Sequence, residues 1–248
     1  MKTFEKKNPI AFSRSLECEA TGLKEIQKFF DKKHALKTPE IISLTQEKLL
    51  LEYLESQPAQ PEHFIELGFQ LANLHRCTTD KFGFFEDNYI GLNPQKNTPC
   101  DDWATFFIEN RLRFQIEMIQ KMSVRDQALS WLSKNEAALR QLLNDHRPEA
   151  SLVHGDLWSG NYIATVRDVY VIDPAVYYGD REVDIAMSKL FGGFSKDFYE
   201  AYHHEYPLDK NFEKRKALYN LYHNLNHYNL FGENYYSSIN TVFKQNIS

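Results

Sequence analysis

The chain has 248 residues, 42% hydrophobic and 25% charged, with a formal net charge of −5 and a pI near 6.0. This composition supports a sizeable core in one or two domains and excludes a disordered chain; the charge excludes a basic surface for nucleic acid or anionic membranes. Three cysteines, Cys18, Cys77 and Cys100, have neither disulfide-framework nor zinc-site spacing, and the start MKTFEKKNPIAF lacks the apolar core of a signal peptide, so reduced thiols in a cytoplasmic setting are expected.

The first expected element is an amphipathic helix from Ser13 to Phe30, in which Leu16, Ala20, Leu23, Ile26 and Phe30 recur near a 3.6 period with Ser13 as cap. PEIISL and EKLLLEYLE then read as a hairpin, and the stretch SQPAQP, which can continue neither strand nor helix, marks a domain boundary. Beyond it the periodicity predicts one helix through Phe64, Leu67, Gly68, Leu71 and His75, a second through Trp103, Phe106, Phe107, Phe114 and Met118, and a third through Leu129, Leu132, Leu139 and Leu142. Helices resume near Arg181 and over Phe212 to Phe231, while DKFGFFEDNYIGLNPQKNTPCDD is too long for a plain connector. The clusters Lys6-Lys7, Lys32-Lys33 and Lys214-Arg215-Lys216 are flanked by acids and read as solvated faces. The order predicts an α+β chain with a small sheet-and-helix part, a larger helical part and a cleft near their junction.

The chemistry concentrates in LVHGDLWSGNYIATVRDVYVIDPA, residues 152 to 175. NYIATV and VYVID are alternating runs on either side of Arg167-Asp168, and a two-residue turn there pairs position 161 with position 174, bringing Asn161 and Asp173 together. The glycines around Asp156 let the backbone turn back toward the same point. An amide and a carboxylate are hard oxygen ligands of the kind Mg²⁺ accepts beside phosphates, and a separate carboxylate can accept a hydroxyl proton. An Asp, four residues, an Asn and a later Asp is the layout of a kinase catalytic loop and its metal-binding aspartate. Asn or Asp beside glycine is also an ordinary turn former. The three together, with the hairpin between them, point to phosphoryl transfer.

The longer string HGDLWSGN, with DKFGF, NYIG, DDWATFF, FGGF, FYEAYH and LYNLYHNLNHYNLFGENY, is similar to the fructosamine (ketosamine-3-) kinase family, itself related to aminoglycoside and choline kinases. The resemblance runs in order along nearly the whole chain. It implies a two-lobed protein kinase-like fold, with a truncated N-terminal sheet lobe over 1–56 and a mainly helical lobe over 57–248. The implied activity is ATP-dependent phosphorylation, with Mg²⁺, of the 3-hydroxyl of a ketosamine, free or on a protein lysine. Carried onto this sequence, it implies Asp156 as the catalytic base and Asn161 and Asp173 as metal ligands. Glu19 is the implied partner of an ATP-binding lysine, Lys2 is the match for that lysine, and Glu52, Tyr53 and Leu54 are the hinge that meets adenine. Asp184, in DREVDIAM, resembles the aspartate that braces the catalytic loop. Trp158 offers a wall for a sugar or a cation, and Asn226 and His227 could reach substrate hydroxyls. The sequence departs from the family at its front, where a glycine-containing hairpin is expected ahead of the lysine and only Met1 precedes Lys2. Either the sequence is a truncated version or it is a short form with impaired nucleotide binding. Two alternatives therefore stand beside the ketosamine kinase: a catalytically impaired binding module, and a kinase of an amino sugar or amino alcohol.

Overall fold

The computed structural model describes residues 2–8, 13–29 and 34–244; the expected helix end at Phe30 and the Lys32-Lys33 pair lie outside them. The chain begins with β1 (Thr3–Lys7), α1 (Ser15–Gln27), β2 (Ile41–Leu44) and β3 (Lys48–Glu52), and the three strands form an antiparallel sheet in the order β1-β3-β2. The hairpin is the one read from the sequence. Strand β1 is an addition, placed by pairing with β3 from Thr3 opposite Glu52 to Lys7 opposite Lys48. Leu16, Ala20 and Leu23 of α1 pack on Leu49 and Leu51 of β3, forming a small core separate from the main one. The helix starts two residues after Ser13: Arg14 takes the cap position, and the Ser13 hydroxyl donates instead to Asn8 Oδ1 at 2.8 Å.

After an extended segment come α2 (Pro61–His75), β4 (Thr78–Thr79) and a hairpin of β5 (Asn88–Ile90) and β6 (Asn93–Gln95). The second expected helix is interrupted in its middle, with α3 (Trp103–Phe106), a π-helical stretch (Phe107–Arg113) and α4 (Phe114–Glu117) running end to end. The wider π turns carry the apolar face across the gap between Phe107 and Phe114, and they bury Arg111 completely. Then follow α5 (Met122–Asn144), β7 (Ala150–Val153), a 3₁₀ turn (Ser159–Asn161), β8 (Tyr162–Ala164), β9 (Val169–Val171), β10 (Tyr177–Gly179), α6 (Glu182–Leu190), α7 (Lys196–Glu205), α8 (Phe212–Phe231), a second 3₁₀ turn (Gly232–Tyr235) and α9 (Tyr236–Phe243). Pro61 fits the first turn of α2, where its missing N–H is not needed. Gly68 lets α2 cross α7 at close range, since a Cβ there would stand 2.5 Å from the Phe198 carbonyl oxygen. Among the described residues no helix is long and apolar enough to cross a membrane.

Two readings need correcting. The β8–β9 hairpin pairs Tyr162 with Val171 and Ala164 with Val169, so Asn161 stands opposite Ile172 rather than residue 174. The turn has four residues, not two: Thr165 Oγ1 accepts from the Asp168 amide at 3.1 Å, a local bond that a Thr offers readily. The second concerns the basic clusters. Arg215 is wholly buried and grips both carboxylate oxygens of Glu182, at 2.7 and 3.0 Å, and Lys6 is drawn into the cleft. Beside Arg215, donor atoms of His146, Asp180 and Glu182 lie within 4.8 Å of one another. Arg215 bonds Glu182, and Tyr219 and His146 bond Asp180, so the carboxylates of this group are held in a buried ion-pair cluster.

Candidate active site

Strand β7, ASLV, is buried along its whole length and delivers His154, Gly155 and Asp156 to the end of the sheet. Gly155 has φ +84°, and a Cβ on it would lie 2.1 Å from the Ala175 carbonyl oxygen, so only glycine lets this loop lie against the chain that follows Asp173. Asp184 accepts from the amides of His154 at 2.7 Å and Gly155 at 2.9 Å, and pairs with His75 Nε2 at 3.1 Å. Behind it Arg181 donates to the Tyr202 hydroxyl, which lies 2.8 Å from His75 Nδ1. Burial works against the charge on Asp184, but the bonds from His75 and the loop outweigh it and hold its pKa below the usual carboxylate value; burial holds His75 low. Asp184 thus ties two consecutive amides of the loop before Asp156 to His75 of α2.

Asn161 donates its side-chain N–H to the Asp156 backbone oxygen at 2.8 Å and to Asp156 Oδ2 at 3.2 Å. Its amide nitrogen is thereby committed, and its side-chain oxygen is the atom left to face a cation. Burial pushes the Asp156 carboxyl up to about 7; the Asn161 bond opposes the shift and the charges of Asp173 and Asp184 add to it. Asp173 has φ +54°, the left-handed region, and its carboxylate meets the Lys6 ammonium. Lys6 also donates to both carboxylate oxygens of Glu19 at 2.8 Å. Burial disfavours the Lys6 charge, yet Glu19 and Asp173 together raise its pKa, while burial lifts Glu19 to about 7 against the pull of Lys6.

The lysine on Glu19 is thus Lys6, not Lys2. Positions 2, 4 and 6 share one face of the strand, but four residues span about 13 Å, and Lys2 is at the far end, its ammonium 5.7 Å from the centroid of the Tyr53 ring. The Tyr53 amide donates to the Lys2 carbonyl at 3.2 Å. Glu52, Tyr53 and Leu54 border an apolar cavity completed by Phe4, Ile163 and Ile172, which Lys6 and Asp173 also line. A second cavity is also lined by Lys6, Glu19 and Asp173, together with Tyr89 and Leu92 of the β5–β6 hairpin.

Trp158 is 39% exposed and lies over Gly160, with Phe191 edge-on at 6.4 Å between ring centroids. Phe191 in turn meets the His227 ring at 5.3 Å, so Trp158 and His227 belong to one aromatic row. Gly193, next in the FGGF segment, presses on the catalytic loop: a Cβ there would stand 2.4 Å from Ser159 Cβ. Asn226 does not join this row. It is 3% exposed, and its side-chain oxygen accepts from Asn93 at 2.8 Å and Gln115 at 3.3 Å, a buried network that leaves the amide to the core. Lys6 and Phe191 are the site residues the sequence reading missed; Lys6 depends on the pairing of β1 with β3, and Phe191 on a contact between distant segments.

Comparison with solved structures places this arrangement among kinases. A choline/ethanolamine kinase family protein from Mesorhizobium loti shares the fold, with a TM-score of 0.62 at 13% identity over 98% of this chain and 82% of that one. A Haemophilus somnus protein assigned as a fructosamine-3-kinase superposes with a TM-score of 0.86 at 29% identity, over 98% of this chain and 83% of that one. The chain is accordingly a small-molecule kinase, an enzyme that transfers a phosphoryl group. A Vibrio cholerae protein named as a probable ketoamine kinase is 41% identical over 87% of this chain and 76% of its own length. The fructosamine kinase family model matches residues 1–248, and the chain belongs to that family.

Proposed function

We propose that the chain transfers the γ-phosphoryl group of ATP to the 3-hydroxyl of a ketosamine, the sugar adduct of an amine or of a protein lysine. The observation that carries this reading is the Lys6–Glu19 pair meeting Asp173 at an apolar cavity, with the hydrogen-bonded Asp156 and Asn161 on the preceding loop. The relatives more than 25% identical that are reported above are named as kinases of ketoamines or fructosamine, and they favour neither the binding module nor another hydroxyl substrate.

In this reading residues 1–56 form part of a nucleotide-binding lobe and residues 57–248 the helical lobe with the catalytic loop. Adenine occupies the apolar cavity beside Glu52, Tyr53 and Leu54, and Lys6 holds the phosphates against Glu19. Asn161 and Asp173 offer one amide and one carboxylate oxygen, a donor set that suits Mg²⁺ beside phosphates. When bound, the ion would neutralise charge on the phosphates. Asp156 accepts the hydroxyl proton; a carboxyl lifted to about 7 is a stronger base than an ordinary aspartate and is still half ionised at neutral pH. Asn161 keeps that carboxylate oriented. Trp158 and His227 line the approach for the sugar-amine.

The test is ADP release on a panel of fructose-, ribulose- and erythrulose-amines, with Asp156→Asn as control. Turnover on the panel that disappears in a folded Asp156→Asn protein supports the assignment, and normal turnover by that variant overturns it.

A further inference from the structure

The β5–β6 hairpin carries a chain of buried amides that the proposed transfer does not use. It starts at Arg111, a buried guanidinium stacked 4.0 Å from the Tyr177 ring centroid, which donates to Asn97 Oδ1 at 2.8 Å. Asn97 donates to Asn88 Oδ1 at 2.8 Å, and so does Gln95. Asn88 passes its own N–H to the Val176 carbonyl at 2.8 Å, and Gln95 donates to the Ala175 carbonyl at 3.0 Å. The Tyr222 hydroxyl donates to Gln95 Oε1 at 2.7 Å. A backbone carbonyl can only accept, so the bonds to Glu86, Val176 and Ala175 fix which way each of the three amides faces. One run of donors therefore leads from Arg111 through Asn97 and Asn88 to the Val176 carbonyl, and Gln95 donates directly to the Ala175 carbonyl.

Those two carbonyls lie two and three residues after Asp173. The Ala175 oxygen that Gln95 grips is also the atom on which Gly155 rests, one residue before Asp156. Its amide donates to the His154 carbonyl at 2.9 Å, so Ala175 is held on both sides. We propose that Gln95, backed by Asn88 and Arg111, is a positioning residue that sets the spacing between the Asp156 loop and the Asp173 turn and so tunes the metal site. The inference rests on the reading of Asn161 and Asp173 as metal ligands. Residues that orient ligands from behind typically change metal affinity by about 10- to 100-fold when replaced.

The test measures Mn²⁺ binding by electron paramagnetic resonance in the presence of a non-hydrolysable ATP analogue, with thermal unfolding followed alongside, for the full chain and two variants. Gln95→Met keeps the length and removes every bond; its Mn²⁺ affinity is expected to fall by about 10- to 100-fold. Tyr222→Phe removes one hydroxyl donor; a loss of about two- to tenfold is expected. A folded Gln95→Met protein with unchanged Mn²⁺ affinity overturns the inference. Should Gln95→Met fail to fold, Tyr222→Phe decides it, unchanged affinity again being the overturning result. Absence of nucleotide-dependent Mn²⁺ binding in the parent chain overturns the metal-ligand reading instead, and the inference with it.

Discussion

The ammonium of Lys6 lies 2.8 Å from both carboxylate oxygens of Glu19 and also meets Asp173, so one side chain joins a strand, a helix and the turn after β9. Lys6→Ala is expected to weaken ATP binding by about 10- to 100-fold, the value of losing a charge-assisted contact. Lys2→Ala should change it by no more than about twofold, as for an exposed residue. Nucleotide titration of the two variants separates the roles, and a larger loss for Lys2→Ala would return the nucleotide lysine to position 2.

The raised Asp156 carboxyl predicts opposite effects of one substitution on stability and on activity. Its folded pKa of about 7 lies above the unfolded value near 3.8, so the folded state holds the proton more tightly and this group's contribution to stability falls as pH rises between the two values. Asp156→Asn should therefore be more stable than the parent at pH 8, by about 2 to 4 kcal/mol, and equally stable near pH 3. Glu19, also lifted to about 7, keeps part of the slope in the variant. Denaturant unfolding at the two pH values checks this. In the parent, kcat/KM should climb with pH and level off above about 7 as the base ionises.

Asp184 has the opposite sign. Its pKa is held low, so its contribution is present above the usual carboxylate value and is lost as pH falls below it. Asp184→Ala leaves the His154 and Gly155 amides and His75 without their shared acceptor, with an expected loss of about 3 to 5 kcal/mol in denaturant unfolding near neutral pH. A cost under about 1 kcal/mol would show the loop to be held by other contacts.

Gly193 has φ +90° and no room for a Cβ beside Ser159. Gly193→Ala is expected to cost about 1 to 3 kcal/mol and, by moving Phe191 off Trp158, to raise KM for the ketosamine more than KM for ATP. Steady-state kinetics with each substrate varied in turn distinguishes this from general destabilisation, which would leave both KM values alone.

The long helices and the β2–β3 hairpin were legible because their apolar periods are local properties of the chain. The Asp156–Asn161–Asp173 motif was legible because the reading rests on its spacing, which is local to the sequence. What failed needed information from elsewhere in the fold. Lys6 stands beside Lys7 in a charged run that reads as solvent-facing, and only the pairing of β1 with β3 turns it toward Glu19. Arg215 reads the same way and is buried because Glu182, thirty-three residues earlier, waits for it. The hairpin register slipped by two because Thr165 closes a four-residue turn with its own hydroxyl. Asn226 looks like a substrate ligand until Asn93 and Gln115 are seen to claim it.

Gly22, which as a helix residue only weakens α1, has its Cα face against Pro174: a Cβ there would lie 3.1 Å from Pro174 Cγ. The helix that carries Glu19 and the turn that carries Asp173 therefore meet through the Pro174 ring, with no side chain on the helix side to cushion a displacement. Tilting α1 outward would drag or release that turn, so Glu19 and Asp173 cannot be displaced separately. A wedge as small as a methyl group or two at Gly22 would act on both at once, from a point that neither nucleotide nor sugar occupies.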